Sequence, residues 1–71
     1  MGEEAAGLRQ ALEDRKVIER AKGAIMRRLG VPEAEAFDRL LRQASDRNRK
    51  LVEVAQEILT AEEIFQALER G

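Results

Sequence analysis

The sequence contains no cysteine, histidine, tryptophan or tyrosine among its 71 residues. Without cysteine or histidine there is no zinc finger, disulfide scaffold, thiol nucleophile or imidazole base. The longest uninterrupted apolar run, Ala24 to Met26, is far shorter than the roughly 20 residues that span a bilayer. We therefore expect a cytoplasmic protein without catalytic residues, metal, cofactor, membrane association or small-molecule substrate. An enzyme is the least expected class.

One proline and five glycines leave few positions that interrupt a helix, and no β-branched residues alternate with period two. The sequence predicts an all-α fold: a three-helix bundle whose long N-terminal helix extends into a dimerising coiled coil, followed by a short C-terminal helical extension. The predicted helices run from about Glu4 to Leu29, from Pro32 to about Asp46, and from about Arg49 to Leu59, with the extension through Leu68.

Local signals set these boundaries. Gly30 accepts the left-handed backbone that ends a helix, and Pro32 is tolerated in the first turn of the next one. Asn48 is the predicted N-cap of the third helix. Thr60 with Glu63 has the spacing of a capping box, which predicts that the helix restarts or bends there.

Each predicted helix has one apolar face, as a bundle requires. Both phenylalanines, Phe37 and Phe65, fall on these faces, so we expect them in the core rather than as a platform for stacked bases. The apolar positions are Leu8, Ala11, Ile18, Ala21, Ile25, Met26 and Leu29 in the first helix, Phe37, Leu40, Leu41 and Ala44 in the second, Leu51, Val54, Ala55 and Ile58 in the third, and Ile64, Phe65 and Leu68 in the extension.

The first helix is about twice as long as the others, so its N-terminal part extends past the bundle. Leu8, Ala11 and Leu12 lie on that overhang and need a partner. A second copy of the same helix is the simplest one, which predicts a homodimer. The expected organisation is an overhang at 1–12, a three-helix domain at 13–59 and an extension at 60–71.

The net charge is near zero, but acidic and basic residues are unevenly distributed along the chain. Residues 15–50 carry 11 basic and five acidic side chains, a net +6, whereas residues 1–14 carry −3 and residues 51–71 carry −4. A basic segment between acidic ends favours a polyanionic partner. Random placement of surface charge on a helical protein is the alternative.

Four cations of the first helix lie within about 40° of one another, on the face opposite Ile18. We call this the helix-one stripe. Gly23 lies on the same side, in a helix interior where glycine costs roughly 1 kcal/mol relative to alanine. Its missing side chain makes room either for a phosphate backbone or for a packed helix. The four cations are Arg9, Lys16, Arg20 and Arg27.

A second basic group lies where the second and third helices meet. Cations beside the exposed N–H groups of a helix N-terminus form a natural phosphate site, and Asn and Arg also recognise base edges. An ordinary solvated turn with Asn48 as a cap is the alternative. We call this group the junction cluster, and its members are Arg42, Arg47, Asn48, Arg49 and Lys50.

A set of residues across all three predicted helices has a spacing that no simple helical pattern requires. The set is Arg15, Ile18, Ala21-Lys22-Gly23, Met26, Gly30, Glu35-Ala36-Phe37, Leu41-Arg42, Ala44, Asn48, Leu51 and Val54-Ala55. It resembles the ANTAR domain, the RNA-binding output module of bacterial transcription antitermination regulators, and the similarity covers about residues 9–58.

The resemblance implies a three-helix domain that dimerises through a preceding coiled coil, binds RNA with two small stem-loops, and so prevents a terminator hairpin from forming in nascent mRNA. Ala21, Ala36 and Ala55 also match the family pattern, and as small residues we expect them at close-packing positions where no larger side chain fits. Residues that match the family's motif or basic positions are expected to contact RNA, and these are Lys22, Gly23, Arg42, Asn48, Arg49 and Lys50.

Three positions depart from the family pattern. Ala24 replaces a larger aliphatic residue, Pro32 a capping Ser or Thr, and Ser45 a Met. We expect looser packing or a lost contact with another domain, rather than lost RNA binding. Family members usually carry a signal-receiving domain ahead of this module. Since these 71 residues hold none, we expect either a stand-alone domain that is regulated by its concentration or by a separate signal-sensing partner, or an excised piece of a longer protein.

Two other functions fit the same residues. A DNA-binding helix-turn-helix regulator would prefer a duplex to a hairpin. A helical protein-interaction bundle would pair its basic middle with the acidic ends of another protomer, and would bind neither nucleic acid.

Overall fold

The computed structural model describes residues 2–71, with side chains from residue 7 onward, and consists of three helices. They are α1 (Gly2–Leu29), α2 (Glu33–Asp46) and α3 (Leu51–Arg70). The predicted all-α, three-helix architecture with a long first helix is confirmed. Within the described part of the chain, no helix has the length and hydropathy needed to cross a membrane.

The turn between α1 and α2 depends on Gly30. Its φ of 65° lies in the left-handed region, and its N–H donates to the carbonyl of Met26 at 2.9 Å. Glycine adopts this conformation without a steric penalty, so it closes α1 as predicted. Pro32 precedes α2 instead of starting it: its backbone is extended (φ −72°, ψ 166°), and its carbonyl accepts the first helical hydrogen bond, from Ala36 at 3.0 Å.

The turn between α2 and α3 corrects the prediction for Asn48. Asn48 has a φ of 52° and follows the end of α2. Its N–H donates to Ser45 at 3.1 Å, and the next N–H, of Arg49, donates to Ala44 at 2.9 Å. This pair of bonds is a Schellman motif, which ends a helix. Asn48 therefore terminates α2, and Lys50 takes the N-cap position of α3.

The predicted restart at Thr60 was wrong, because α3 is continuous from Leu51 to Arg70. In an unbroken helix each N–H has a partner four residues back, so Thr60 has no unsatisfied amide to cap. The capping-box spacing of Thr60 and Glu63 therefore has no consequence here.

The core is small and built largely of alanine. Ala21, Ala36 and Ala55 have no exposed surface, and Leu40 is almost equally buried. The close packing expected at the three alanines is confirmed, since any larger side chain there would separate the helices. Val17, Ile18 and Ile25 of α1 pack against this core, together with Leu51, Ile58 and Leu59 of α3.

Several positions predicted as core are exposed. Phe65 has 49% of its surface exposed, and Phe37 is only partly buried. α1 ends at Leu29 while α3 continues to Arg70, so the last turns of α3 lack a helix to pack against. Among the described residues, the other large apolar side chains left exposed are Leu8, Leu12, Leu29, Leu41, Ile64 and Leu68.

Candidate nucleic-acid interface

The helix-one stripe lies on an exposed face of α1. Arg9, Lys16, Arg20 and Arg27 are all exposed. The ammonium of Lys16 lies 3.7 Å from Glu13, a distance that makes a weak surface ion pair. Among the side chains that the structure describes, none forms an ion pair with Arg20 or Arg27. These two guanidinium groups are available to an external anion.

Gly23 opens a groove between α1 and α3. A Cβ placed on Gly23 would meet only one neighbour, the Nη1 of Arg27 at 3.4 Å, which is the end of a flexible side chain. No helix packed on this position within the described residues therefore requires glycine here. The groove beside it has a volume of about 510 Å³ and is lined by Glu19, Arg20, Gly23, Arg27, Leu59, Glu62, Glu63 and Gln66.

Two of the three carboxylates in this groove are already neutralised by cations. Glu19 lies 3.1 Å from the ammonium of Lys22, and Glu62 accepts a 2.6 Å hydrogen bond from the Nε of Arg28. That bond holds the pKa of Glu62 below its usual 4.5. The groove is thus less acidic than its composition indicates, which favours an anion beside Arg20 and Arg27.

Lys22 is not on the exposed surface of α1. Only 9% of the residue is exposed, and its ammonium lies between Glu19 at 3.1 Å and Glu33 at 3.2 Å, with the ring of Phe37 at 5.5 Å. The hydrogen bonds that its ammonium donates to these carboxylates raise the pKa of Lys22, with Glu19 contributing most. The side chain expected to contact RNA therefore joins α1 to the start of α2.

The junction cluster is exposed, and the structure brings two of its arginines together. Arg47 and Arg49 both direct their guanidinium groups to the carboxylate of Glu57: Arg47 at 3.2 Å, and Arg49 in a close contact with the other oxygen. Arg49 also lies 3.9 Å from Glu53. Two guanidinium groups that share one carboxylate lie close enough to share one phosphate.

The remaining members of the cluster are Arg42, Asn48 and Lys50. Arg42 is exposed and pairs with Asp38 one turn earlier in α2, at 3.1 Å. Lys50 precedes α3, and its N–H donates to the carboxylate of Glu53 at 3.0 Å. A carboxylate thus already occupies part of the helix N-terminus that the sequence predicted as an anion site. Asn48 is exposed at the left-handed turn.

The family of the chain follows from its match to a family model. The model of the ANTAR domain matches residues 6–59, which is most of the chain. The chain belongs to the ANTAR family. The match includes all of α2, both turns, the whole junction cluster and all but the first few residues of α1. It ends inside α3, so the last turns of that helix lie outside it.

Two proteins named as regulators contain a segment similar to this chain. The chain is 40% identical over 60 residues to the nitrate regulatory protein of Klebsiella oxytoca, a match that covers 84% of this chain and 15% of that protein. It is 41% identical over 56 residues to the transcriptional regulatory protein PdtaR of Mycobacterium tuberculosis, covering 79% of this chain and 27% of that protein. The chain thus spans roughly a seventh to a quarter of these relatives. No solved structure gives a significant match to it.

Sequence reasoning missed the glutamates within this ANTAR domain that pair with the arginines of the junction cluster. Glu53 and Glu57 lie one turn apart in α3, and eight positions separate Glu57 from Arg49. Glu53 was detectable, because a carboxylate at the third position of a helix commonly caps its first amides. The contact of Glu57 with the arginines was not, because it depends on how the turn folds back over α3.

The sequence also missed an apolar groove between the end of α1 and the last turns of α3, partly outside the ANTAR match. Its volume is about 270 Å³, and the guanidinium of Arg28 lies over the ring of Phe65 at 4.4 Å. A cation over an aromatic face is favourable and covers part of the ring that the core leaves exposed. The groove is lined by Ala24, Ile25, Arg28, Leu29, Ile58, Ala61, Glu62 and Phe65.

Proposed function

We propose that this chain is the RNA-binding module of a transcription antitermination regulator. As a dimer it binds paired small stem-loops in nascent mRNA and prevents the terminator hairpin from forming. The observation that carries this proposal is the match of residues 6–59 to the ANTAR family. The relatives named as nitrate and transcriptional regulators support it. The module works by binding, without catalysis.

Two exposed surfaces supply the phosphate contacts in this proposal. The helix-one stripe offers Arg20 and Arg27 beside the groove that Gly23 opens, together with Lys16. The junction cluster offers Arg42, Arg47, Arg49 and Lys50, and Asn48 lies among them. Phosphate contacts fix the position of the RNA, while a few Arg, Lys or Asn side chains recognise unstacked loop bases.

Dimerisation in this proposal uses the N-terminal overhang of α1. Leu8 and Leu12 are 65% and 53% exposed, and Ala11 is exposed between them. Burying these apolar side chains against the same helix of a second copy is favourable. Each protomer of the dimer then binds one stem-loop, so the spacing between the two stem-loops determines which RNAs are bound. A signal reaches the module from a separate sensing protein or a sensor domain of a longer chain.

Charge reversal at the junction cluster tests the RNA contact. The double substitution Arg49→Glu with Lys50→Glu should weaken binding to a tandem stem-loop RNA and lower the slope of log K against log salt by about two. Arg70→Glu, at the end of α3, is the control for a general change in charge. Unchanged affinity of the double variant would place the RNA site elsewhere.

Sedimentation equilibrium tests the dimer. Leu8→Glu with Leu12→Glu should convert a dimer to a monomer and lower the affinity for tandem stem-loops more than for a single one. Leu68→Glu introduces the same charge at an exposed leucine on another helix and should leave the mass unchanged. A wild-type chain that sediments as a monomer at all concentrations would contradict the dimer.

A further inference from the structure

The two arginines at the centre of the junction cluster already hold an acidic ligand. Arg47 Nη1 lies 3.2 Å from Glu57 Oε2, and Arg49 Nη1 contacts the other oxygen, Oε1. A single carboxylate therefore bridges both guanidinium groups. Glu57 lies in the second turn of an unbroken α3, so the helix fixes its position relative to the turn that carries the arginines.

A carboxylate and a phosphate compete for the same donors. Both accept paired N–H groups of a guanidinium in the same planar geometry. The N–H groups directed at Glu57 therefore become available to an RNA phosphate only after they leave the carboxylate. The negative charge of Glu57 also repels a phosphate that approaches the pair.

The ion pairs of Arg47 and Arg49 with Glu57 are exposed enough for an external anion to replace the carboxylate. About half of the Arg47 side chain, and more than a third of the Arg49 and Glu57 side chains, is exposed. Ion pairs with this exposure contribute little to stability, so the fold does not depend on them. Glu53 differs, because it also accepts the N–H of Lys50 at the start of α3. Glu57 has no such capping role among the described residues.

We propose that Glu57 is a specificity-determining residue that acts as an internal substitute for phosphate. It occupies Arg47 and Arg49 until an RNA offers phosphates to both at once, and so suppresses binding to unstructured RNA more than binding to the folded target. This inference rests on the proposed RNA-binding function.

The test is Glu57→Gln, which keeps the shape of the side chain and removes its charge. Binding is measured to a tandem stem-loop RNA and to an unstructured RNA of equal length, at several salt concentrations. Affinity for the unstructured RNA should rise about two- to fivefold, on the scale of one exposed ion pair. Its salt slope should steepen by about one, and affinity for the tandem stem-loops should rise less.

Glu69→Gln is the matched control, because it removes one charge from the end of the same helix. If the two variants behave alike, Glu57 does not control specificity. Should Glu57→Gln unfold the chain, Glu57→Asp is the second variant. It keeps the charge but is too short to bridge both arginines, so it should raise binding to unstructured RNA in the same direction; unchanged or reduced binding would overturn the proposal.

The two proposals fail in different ways. A wild-type chain that binds no RNA would refute both, and the proposed function would be the cause. A wild-type chain that binds tandem stem-loops, with Glu57→Gln no less selective, would refute the role of Glu57 alone.

Discussion

The ammonium of Lys22 lies 3.2 Å from the carboxylate of Glu33 and joins the middle of α1 to the first residue of α2. It also lies 3.1 Å from Glu19 on its own helix. A cation between two carboxylates holds the turn at Gly30 in one arrangement, because both acidic side chains would repel each other without it. Lys22 thus positions the start of α2 against α1.

Lys22→Met should lower the melting temperature more than Lys16→Met does. Lys16 is exposed and has one weak partner, whereas Lys22 is buried with two. At a temperature where both variants are folded, Lys22→Met should lose less RNA affinity than Arg49→Ala. An equal loss in a fully helical Lys22→Met protein would show that its ammonium contacts RNA directly.

Acid should weaken the link between α1 and α3 at Glu62. The bond from Arg28 lowers the pKa of Glu62 in the folded state below 4.5, so its contribution to stability is complete above that pH and is lost as the pH falls through the folded-state pKa. The melting temperature of Glu62→Gln should therefore fall below that of the wild type at pH 7. The melting temperatures of the wild type and of Glu62→Gln should converge as the pH is lowered. A difference that stays constant down to pH 2 would contradict a stabilising role for the Glu62 carboxylate.

Gly23→Ala separates stability from RNA binding. Alanine should raise the free energy of unfolding by about 1 kcal/mol, because helical glycine is costly and the new Cβ meets only the flexible Arg27 side chain. If an RNA backbone occupies the groove at Gly23, the affinity of the Gly23→Ala variant for RNA should nevertheless fall. Gly7→Ala has open space around it and is the control for helix propensity. Equal RNA affinity of both variants would exclude a close approach at Gly23.

Asn48 should tolerate glycine better than alanine. Its φ of 52° favours glycine or asparagine, so Asn48→Ala should lower the free energy of unfolding by about 1 kcal/mol, whereas Asn48→Gly should preserve it, as measured by urea unfolding. Asn48→Gly also removes the amide while keeping the turn. Lost RNA affinity in that variant would mean that the side chain contacts RNA; retained affinity would assign Asn48 to the turn alone.

Ala24→Leu should stabilise the fold. Ala24 is buried and lines the 270 Å³ groove. Leucine can fill part of that groove, which should raise the free energy of unfolding by about 0.5–2 kcal/mol in urea titrations. Ala34→Leu, on an exposed part of α2, should have little effect. A less stable Ala24→Leu protein would mean that the site is already filled.

The sequence predicted those features that depend on local patterns. Gly30 ends α1, and Ala21, Ala36 and Ala55 are buried, because backbone conformation and helical spacing determine both. The prediction that Asn48 is the N-cap of α3 was wrong, because N-cap positions and left-handed positions after a helix both favour asparagine.

The sequence did not predict the contacts between residues of different helices. Phe65 lies on an apolar stripe, but α3 continues past the end of α1, so nothing within the described chain covers it fully. The basic residues of the candidate site were identifiable from charge alone. Their acidic partners were not, because Arg28 meets Glu62 across 34 positions of sequence and Lys22 meets Glu33 across 11. Only the packing of the helices brings these pairs together.

The most direct test of the account is a fluorescence anisotropy titration at two salt concentrations. It compares one stem-loop, two tandem stem-loops with small loops, and a DNA duplex of equal length. The account predicts that the tandem RNA binds most tightly and keeps its advantage at the higher salt. Equal affinity for all three would indicate only a nonspecific basic surface, and preference for the duplex a DNA-binding regulator. No binding even at low salt would contradict the account and favour a protein-interaction bundle.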